Sequence, residues 1–360
     1  MMPVSRRFVI SAGLSSMLVT KDWTKMNSTI TPQQFDPLAG SLHYDSTAAI
    51  TTAIASTPAG GKLTLPGTES GYLVSNGFTI TRPINIVGDG DATSFTGSLP
   101  VNTDLFHVTL PAGAVMRDFS FTDMKLLVTG ARSWFHIDTT AAANTYLPGL
   151  RIADILAPVS PLLYGIWADG LANGAGLSQA EFERCQLTVD GHSPNACIML
   201  QNVGDSIRVK GGLMTGTAYG LYLAQVSGAG SFILDGTNIT SSGGLVVQNA
   251  TKPIFRDFEI ELSNFDMLKL TTNPGFVSSG AAIYIEAADG ATIGPGQIQA
   301  IAGSVNFNEA IYLGAVANVS IDDMRFASTV GGIGINRGAG ASGTNIGTKN
   351  TFNGFIINVT

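Results

Sequence analysis

Two aspartates have the best claim to chemistry in this chain. Asp138 and Asp169 each close a short apolar phrase, Phe135-His136-Ile137-Asp138 and Ile166-Trp167-Ala168-Asp169. If the two phrases lie on neighbouring strands of a parallel stack, their carboxylates sit roughly 5 Å apart, near the ~5–5.5 Å separation of a retaining glycosidase pair. Two close carboxylates cannot both ionise easily, so one becomes an acid beside a base. His136 would assist and Trp167 would lie beside them. The plainer reading makes both aspartates turn residues that cap loops.

Three other groups invite comparison. Arg208 and Lys210 alternate outward on one strand, next to Glu181 and Glu183 of the preceding segment. A lyase would use such an arginine or lysine as its base, whereas cross-strand ion pairing is the plainer account. Asp322-Asp323 is a carboxylate pair in sequence, but Asp323 falls at a corner position shared with Asp118, Asp154, Asp235 and Asp257. Cys185 and Cys197 are too few for a disulfide framework and lack metal-ligand spacing, so they read as small buried hydrophobes, or as one disulfide if the protein is exported. No phosphate loop, zinc motif or calcium loop stands out, and neither a metal nor another cofactor is expected.

What must position these residues is a repeat. Tyr219-Gly220-Leu221-Tyr222-Leu223 is echoed by Gly165-Ile166-Trp167, Cys197-Ile198-Met199-Leu200 and Gly244-Leu245-Val246-Val247. It returns as Ala282-Ile283-Tyr284-Ile285, Ala310-Ile311-Tyr312-Leu313, Gly332-Ile333-Gly334-Ile335 and Gly354-Phe355-Ile356-Ile357. Alternation places the large residues on one face of a strand and the variable residue on the other. Recurrence every ~20–40 residues is the mark of a solenoid. A second phrase, with Asp or Gly bending between apolar residues, precedes each copy, as in Arg151-Ile152-Ala153-Asp154-Ile155. Roughly ten coils follow.

The alignment defines two outward columns. The first runs His107, His136, Trp167, Met199, Tyr222, Val246, Tyr284 and Tyr312, with Lys269 as the alternative to Tyr284 if the segment 262–280 shifts the register. The second runs Asp138, Asp169, Gln201, Ala224, Gln248, Glu286, Gly314 and Asn336. Flat aromatic faces stack on sugar rings, which makes Trp167, Tyr222, Tyr284 and Tyr312, with Gln201 and Glu286, candidate substrate-binding residues. The alternative is that these rings pack under loops or against a neighbouring subunit.

Near the N-terminus the pattern becomes more specific. Asp45-Ser46-Thr47-Ala48-Ala49-Ile50 predicts a short helix, capped by Asp45 or Ser46, with Ile50 and Ile54 on one face. It would close one end of the stack. Gly60-Gly61-Lys62-Leu63-Thr64-Leu65-Pro66-Gly67, Gly71-Tyr72-Leu73-Val74 and Ile84-Asn85-Ile86-Val87-Gly88-Asp89-Gly90 follow. Over residues 41–90 this order resembles the pectate-lyase-like superfamily, the right-handed parallel β-helices that include polysaccharide-degrading enzymes and phage tailspikes. The resemblance departs at Gly40-Ser41-Leu42-His43-Tyr44-Asp45, where the family usually has a Gly-Asp-Gly run with paired aspartates. The Asn-Thr-Asp and Gly-His-Gly motifs of the pectin hydrolases are missing, and Asp190-Gly191-His192 is a loose echo. The resemblance implies an all-β, right-handed parallel β-helix with a capping helix, and a carbohydrate-active role: a glycoside hydrolase or polysaccharide lyase acting on an extracellular polysaccharide. The alternative is a non-catalytic glycan-binding protein or a tailspike-like virion attachment protein.

Composition agrees with short strands and turns: 43 glycines and only 12% charged residues in 360. A net charge of −7 offers no basic stripe for nucleic acid. No segment is long enough to span a membrane. Residues 1–23 contain Ser5-Arg6-Arg7 and then an apolar run, similar to a twin-arginine export signal, or else form an N-terminal arm. Residues 24–40 read as a linker and 41–360 as one β-helix domain. The expected location is periplasmic or secreted, with the virion as the alternative. An uncovered apolar strand at Gly354–Val359 would be protected by a fold corner or by other chains, as in a homotrimer.

Overall fold

The computed structural model describes residues 29–172, 176–191, 195–226, 232–241, 243–262, 280–300 and 307–360. The export-like segment 1–23, Lys269 and His192 lie outside them. Every strand pairing among the described residues is parallel, and the chain winds as a right-handed β-helix of about nine turns. The sequence expectation of roughly ten is close.

Each turn supplies three short strands. In one turn these are Glu181–Glu183, Gln186–Thr188 and Ala196–Val203. The first two kinds stack into one long sheet, bent at a corner, and the third kind forms a second sheet. Inward Phe, Ile, Leu and Val side chains from all three walls make one continuous column of buried residues. Among them Phe78, Phe95, Phe106, Phe121 and Phe135 pack ring against ring at 5.2–6.2 Å. Each turn buries its apolar set only against its neighbours, so the core grows with the stack.

The corner of the bent sheet shows why the second phrase carries Asp or Gly. Register aligns Asp123, Asp154, Arg184, Gly211, Gly236 and Asp257. All have positive φ, between 51° and 66°: 61°, 56°, 51°, 62°, 66° and 51° in that order. Asp323 adopts the same conformation at 57°. One left-handed residue per turn makes the bend, and Asp or Gly tolerates it best. The sequence placed Asp118 and Asp235 in this column. The structure instead has Asp123 there, and Asp235 ends a strand one residue before the corner Gly236. Asp323 thus sits at a corner of the coil, as the sequence pattern indicates.

The cap forms as the sequence indicates. The helix Thr47–Ser56 buries Ala49, Ile50, Ala53 and Ile54. Asp45, not Ser46, holds its first turn: Asp45 Oδ1 accepts from the Thr47 amide and hydroxyl at 2.9 and 2.6 Å. The described part of the segment read as a linker packs on the stack. Ile30 bridges Leu63, Ala39 is buried, and the Gln33 side chain donates to the Tyr72 hydroxyl at 3.0 Å. Residues 29–40 therefore pack against the first turns of the stack. Cys185 and Cys197 are both free and buried, not bridged, and burial pushes each thiol up to about 12. No helix among the described residues is long and apolar enough to cross a membrane.

Candidate functional site

The second sheet carries the site. Its strands Phe106–Thr109, Ser133–Thr139 and Tyr164–Gly170 place His107 beside His136 and His136 beside Trp167. The first column continues through Met199, Tyr222, Val246, Tyr284 and Tyr312 as the alignment anticipates. Tyr284, not Lys269, holds its place. The column then runs to Asn336, which pairs with Tyr312 and so does not belong to the second column. The phrase Gly332–Ile335 therefore sits two residues away from the register its spelling suggests.

Asp138 and Asp169 are direct register partners on adjacent turns. Their environments differ. Asp138 Oδ1 accepts from the Thr140 amide and hydroxyl at 2.9 and 2.6 Å, and His107 Nε2 lies 3.6 Å from Oδ2. His107 beside it, with Thr140, holds the Asp138 carboxyl well below the usual carboxylate range against the opposing effect of burial. Burial raises Asp169, the Asp138 charge adds to the rise, and His136 opposes it. The pair therefore contains one carboxylate that stays ionised and one that holds its proton more tightly. Asp138 also caps the turn that follows it, so the turn-residue reading describes part of its role.

The histidines and the tryptophan form a continuous stack. His107 and His136 are parallel within 3° at 4.7 Å, and His136 and Trp167 within 4° at 3.9 Å. Tyr284 and Tyr312 stack likewise at 5.1 Å and 9°. These rings cover one another's faces along the column. In an in-register parallel ladder, rings one turn apart lie close to the strand spacing and stack on one another, so they present edges and not faces. Trp167 has His136 on its ring and the Arg132 guanidinium 4.9 Å from its centroid. Tyr222, only 5% exposed, is buried with Tyr164, Met199, Tyr219 and Val246 in a second apolar cluster outside the main core. Tyr222 offers no open ring face, and Trp167, half-buried, has His136 stacked on one face. Tyr284, Tyr312 and Gln201 are half-buried and Glu286 is exposed, all on the same sheet.

Sequence reasoning missed the group that anchors the stack. Asp104 is buried, and it accepts from Arg132 Nε at 2.9 Å, from Arg132 Nη2 and from the Ser133 hydroxyl. His136 Nδ1 lies 3.0 Å from Asp104 Oδ2. Burial pushes the Asp104 carboxyl up, but bonds to His136, Arg132 and Ser133 outweigh it and hold the group well below the ordinary range. The signal was available: Asp104, Ser133 and Tyr164 stand three residues before His107, His136 and Trp167, a further column just upstream of the repeated phrase. Asp104, His107 and His136 bring one donor atom each within 4.8 Å of one another, a spacing a metal ion could use. Arg132 already supplies positive charge to Asp104, and the two imidazoles are parallel, so their lone pairs do not converge on one point. A cavity of about 400 Å³ opens beside this cluster, lined by Asn76, Thr79, Asn102, Thr103, Asp104, His107 and Arg132, among others.

Arg208 and Lys210 lie elsewhere, on the bent sheet. They are exposed and pair in register with Glu181 and Glu183. Lys210 Nζ is 3.9 Å from Glu183, which also binds Arg151 at 2.9 Å and Arg184. Arg184 in turn grips Asp154 through two bonds of 2.7 Å. This is an ion-pair ladder.

No family model matches the chain, and no curated protein is significantly similar to it in sequence. Solved structures are similar in fold. A Geobacillus virus E2 protein, ORF18, aligns over 94% of this chain at 13% identity and TM-score 0.53, and the chain spans 62% of that protein's length. The A-module of the mannuronan C-5 epimerase AlgE6 of Azotobacter vinelandii aligns over 92% of this chain and 95% of its own at 15% identity and TM-score 0.51. The Agl-KA catalytic domain aligns over 93% of this chain and 69% of its own at 12% identity and TM-score 0.50. Identities this low speak to architecture alone: the chain is a right-handed parallel β-helix, similar in fold to these structures.

Proposed function

We propose that this protein hydrolyses a glycosidic bond of an extracellular polysaccharide, with Asp169 as the proton donor and Asp138 as its ionised partner. The observation that carries this reading is the pairing of Asp138 with Asp169 on adjacent turns, one carboxyl depressed by His107 and the other raised by burial. A carboxyl raised beside one depressed is the kind of pair that protonates a leaving glycosidic oxygen while stabilising the positive charge left on the sugar. Gln201, Glu286, Tyr284 and Tyr312 continue along the same wall and supply polar edges for further sugar units. Trp167 and Tyr222 act here as packing and not as platforms.

Hydrolysis is preferred to β-elimination for two reasons. The bases a lyase would need, Arg208 and Lys210, are on the other sheet, next to glutamates. Arg132, the cation beside the pair, is already bound bidentately to Asp104 and is poorly free to neutralise a uronate. A second reading is a glycan-binding virion attachment protein, favoured by the fold shared with the Geobacillus virus protein. Location in the periplasm, outside the cell or on a virion is compatible with either.

The test is a panel of neutral and uronate polysaccharides incubated with wild type, Asp138→Asn and Asp169→Asn, with products weighed by mass spectrometry. Cleavage without near-ultraviolet absorbance, reduced at least ~10²-fold in each variant, supports the reading. Undiminished cleavage by both variants rejects the pair, and binding without cleavage favours attachment.

A further inference from the structure

We propose that the cavity at the N-terminal end of the ring stack binds an uncharged sugar unit, with His107 as its platform. The ligand class rests on the carbohydrate reading above; the location does not.

Rings inside the column cover one another, but a stack has ends. His107 lies on His136 at 4.7 Å. Its register partner on the preceding turn is Thr79, which carries no ring. The stack therefore stops at His107, and 31% of that side chain is exposed. His107 and Thr79 both line the cavity of about 400 Å³. That size falls within the ~300–1,000 Å³ of small-molecule sites. A flat ring with one side uncovered gives the C–H face of a sugar ring a surface to pack on.

The rest of the lining selects what can enter. Asn76, Thr79, Asn102 and Thr103 contribute two amides and two hydroxyls. The first three residues are exposed and Thr103 is half-buried, so a ligand can reach them. Among the described residues their one side-chain hydrogen bond is Asn76 Oδ1 accepting from the Gly77 amide at 2.8 Å. The remaining donors and acceptors are available to ligand hydroxyls. The charged groups are already committed. Arg132 donates twice to Asp104, and His107 Nε2 lies 3.6 Å from Asp138 Oδ2. A uronate would find no spare cation here and would meet the Asp104 carboxylate in the same lining, so its charge would be desolvated without compensation. A neutral sugar meets no such penalty. His107 also joins the cavity to the carboxylate pair, so a unit seated on it lies next to the bond that Asp138 and Asp169 would act on.

The probes are neutral cello-, xylo-, manno- and malto-oligosaccharides, with oligogalacturonates and oligomannuronates for contrast. Each is titrated into protein labelled on its four histidines, and His107→Gln assigns the signal of interest. Where the wild type cleaves a probe, the affinity is measured on Asp169→Asn. At least one neutral probe should shift the His107 signal and bind at least ~10-fold more tightly than either uronate. Thr79→Phe should extend the stack over His107 and fill the cavity, weakening that probe at least ~10-fold. Should this variant fail to fold, Asn102→Gly keeps the left-handed backbone, at φ 65°, and removes the amide; a loss of ~3-fold or more is expected. The proposal is overturned if no neutral probe binds, if a uronate binds as tightly, or if the folded variant binds as wild type does. Binding at His107 with no glycan cleaved would keep this subsite and remove the hydrolytic reading. Cleavage of a neutral glycan that Thr79→Phe leaves unchanged would do the reverse.

Discussion

Two ion clusters sit on different walls of the same coil, and they behave differently. On the bent sheet, Asp154, Glu183, Arg151, Arg184 and Lys210 form a partly exposed ladder in which each of the two carboxylates has a cation at hand. On the flat sheet, Asp104, Arg132 and His136 use similar groups, but the Asp104 side chain is only 3% exposed. The first cluster lies at a corner, where side chains splay into water and solvent screens them. The second lies on a wall between stacked rings, where desolvation makes each partner necessary. The exposed ladder satisfies its charges and has nothing left over. The buried cluster fixes a histidine whose other nitrogen is closed from solvent and has no hydrogen-bond partner among the described residues.

The contrast can be broken by mutation. Arg132→Ala should be the most damaging to stability, since it leaves Asp104 buried beside only Ser133 and His136. A loss of about 3 kcal/mol is expected in urea titration; a midpoint unchanged from wild type would place this cluster with the exposed ladder. Acid sensitivity should come next. The Asp104 carboxyl is depressed in the fold, so its contribution is complete above its ordinary value of 3.8 and is lost as pH falls through its folded value. Asp104→Asn should flatten the fall in stability below pH 4, measured as the thermal midpoint against pH.

Asp169 carries the opposite sign. Its folded carboxyl is raised, so the unfolded chain ionises first and stability declines as pH rises from 3.8 through the folded value. Asp169→Asn should therefore raise the thermal midpoint at pH 7 while abolishing cleavage, a trade expected of a functional group and not of a turn residue. The smallest effect belongs to the ladder. Lys210→Ala should leave the midpoint within experimental scatter. A marked drop there would show that the corner charges act as one buried network.

Much of the site was legible because a parallel coil turns sequence alignment into spatial adjacency. Once the phrase around Tyr222 was matched to those around His136 and Trp167, the register of Asp138 with Asp169 followed, and the coordinates keep it. The faces of the rings were not legible. The alignment says that Trp167 and His136 are neighbours, but not that neighbours one strand spacing apart will stack and so close their faces to a sugar. Asp104 was missed for a related reason: it precedes its strand, where the repeat is least regular, and its partners Arg132 and Ser133 belong to the next turn. Arg184 at a left-handed corner was equally hidden, because its tolerance of that conformation accompanies a two-point grip on Asp154.

The sequence by itself determined the architecture, the capping helix, the run of the columns and the adjacency of the two aspartates, since alternation and repeat length are properties of the chain. Only the tertiary structure decided which carboxyl is depressed and which is raised, which rings are closed off, and that Asp104 sits against His136. Those depend on burial and on angles between side chains from different turns, and no spacing along one strand encodes either.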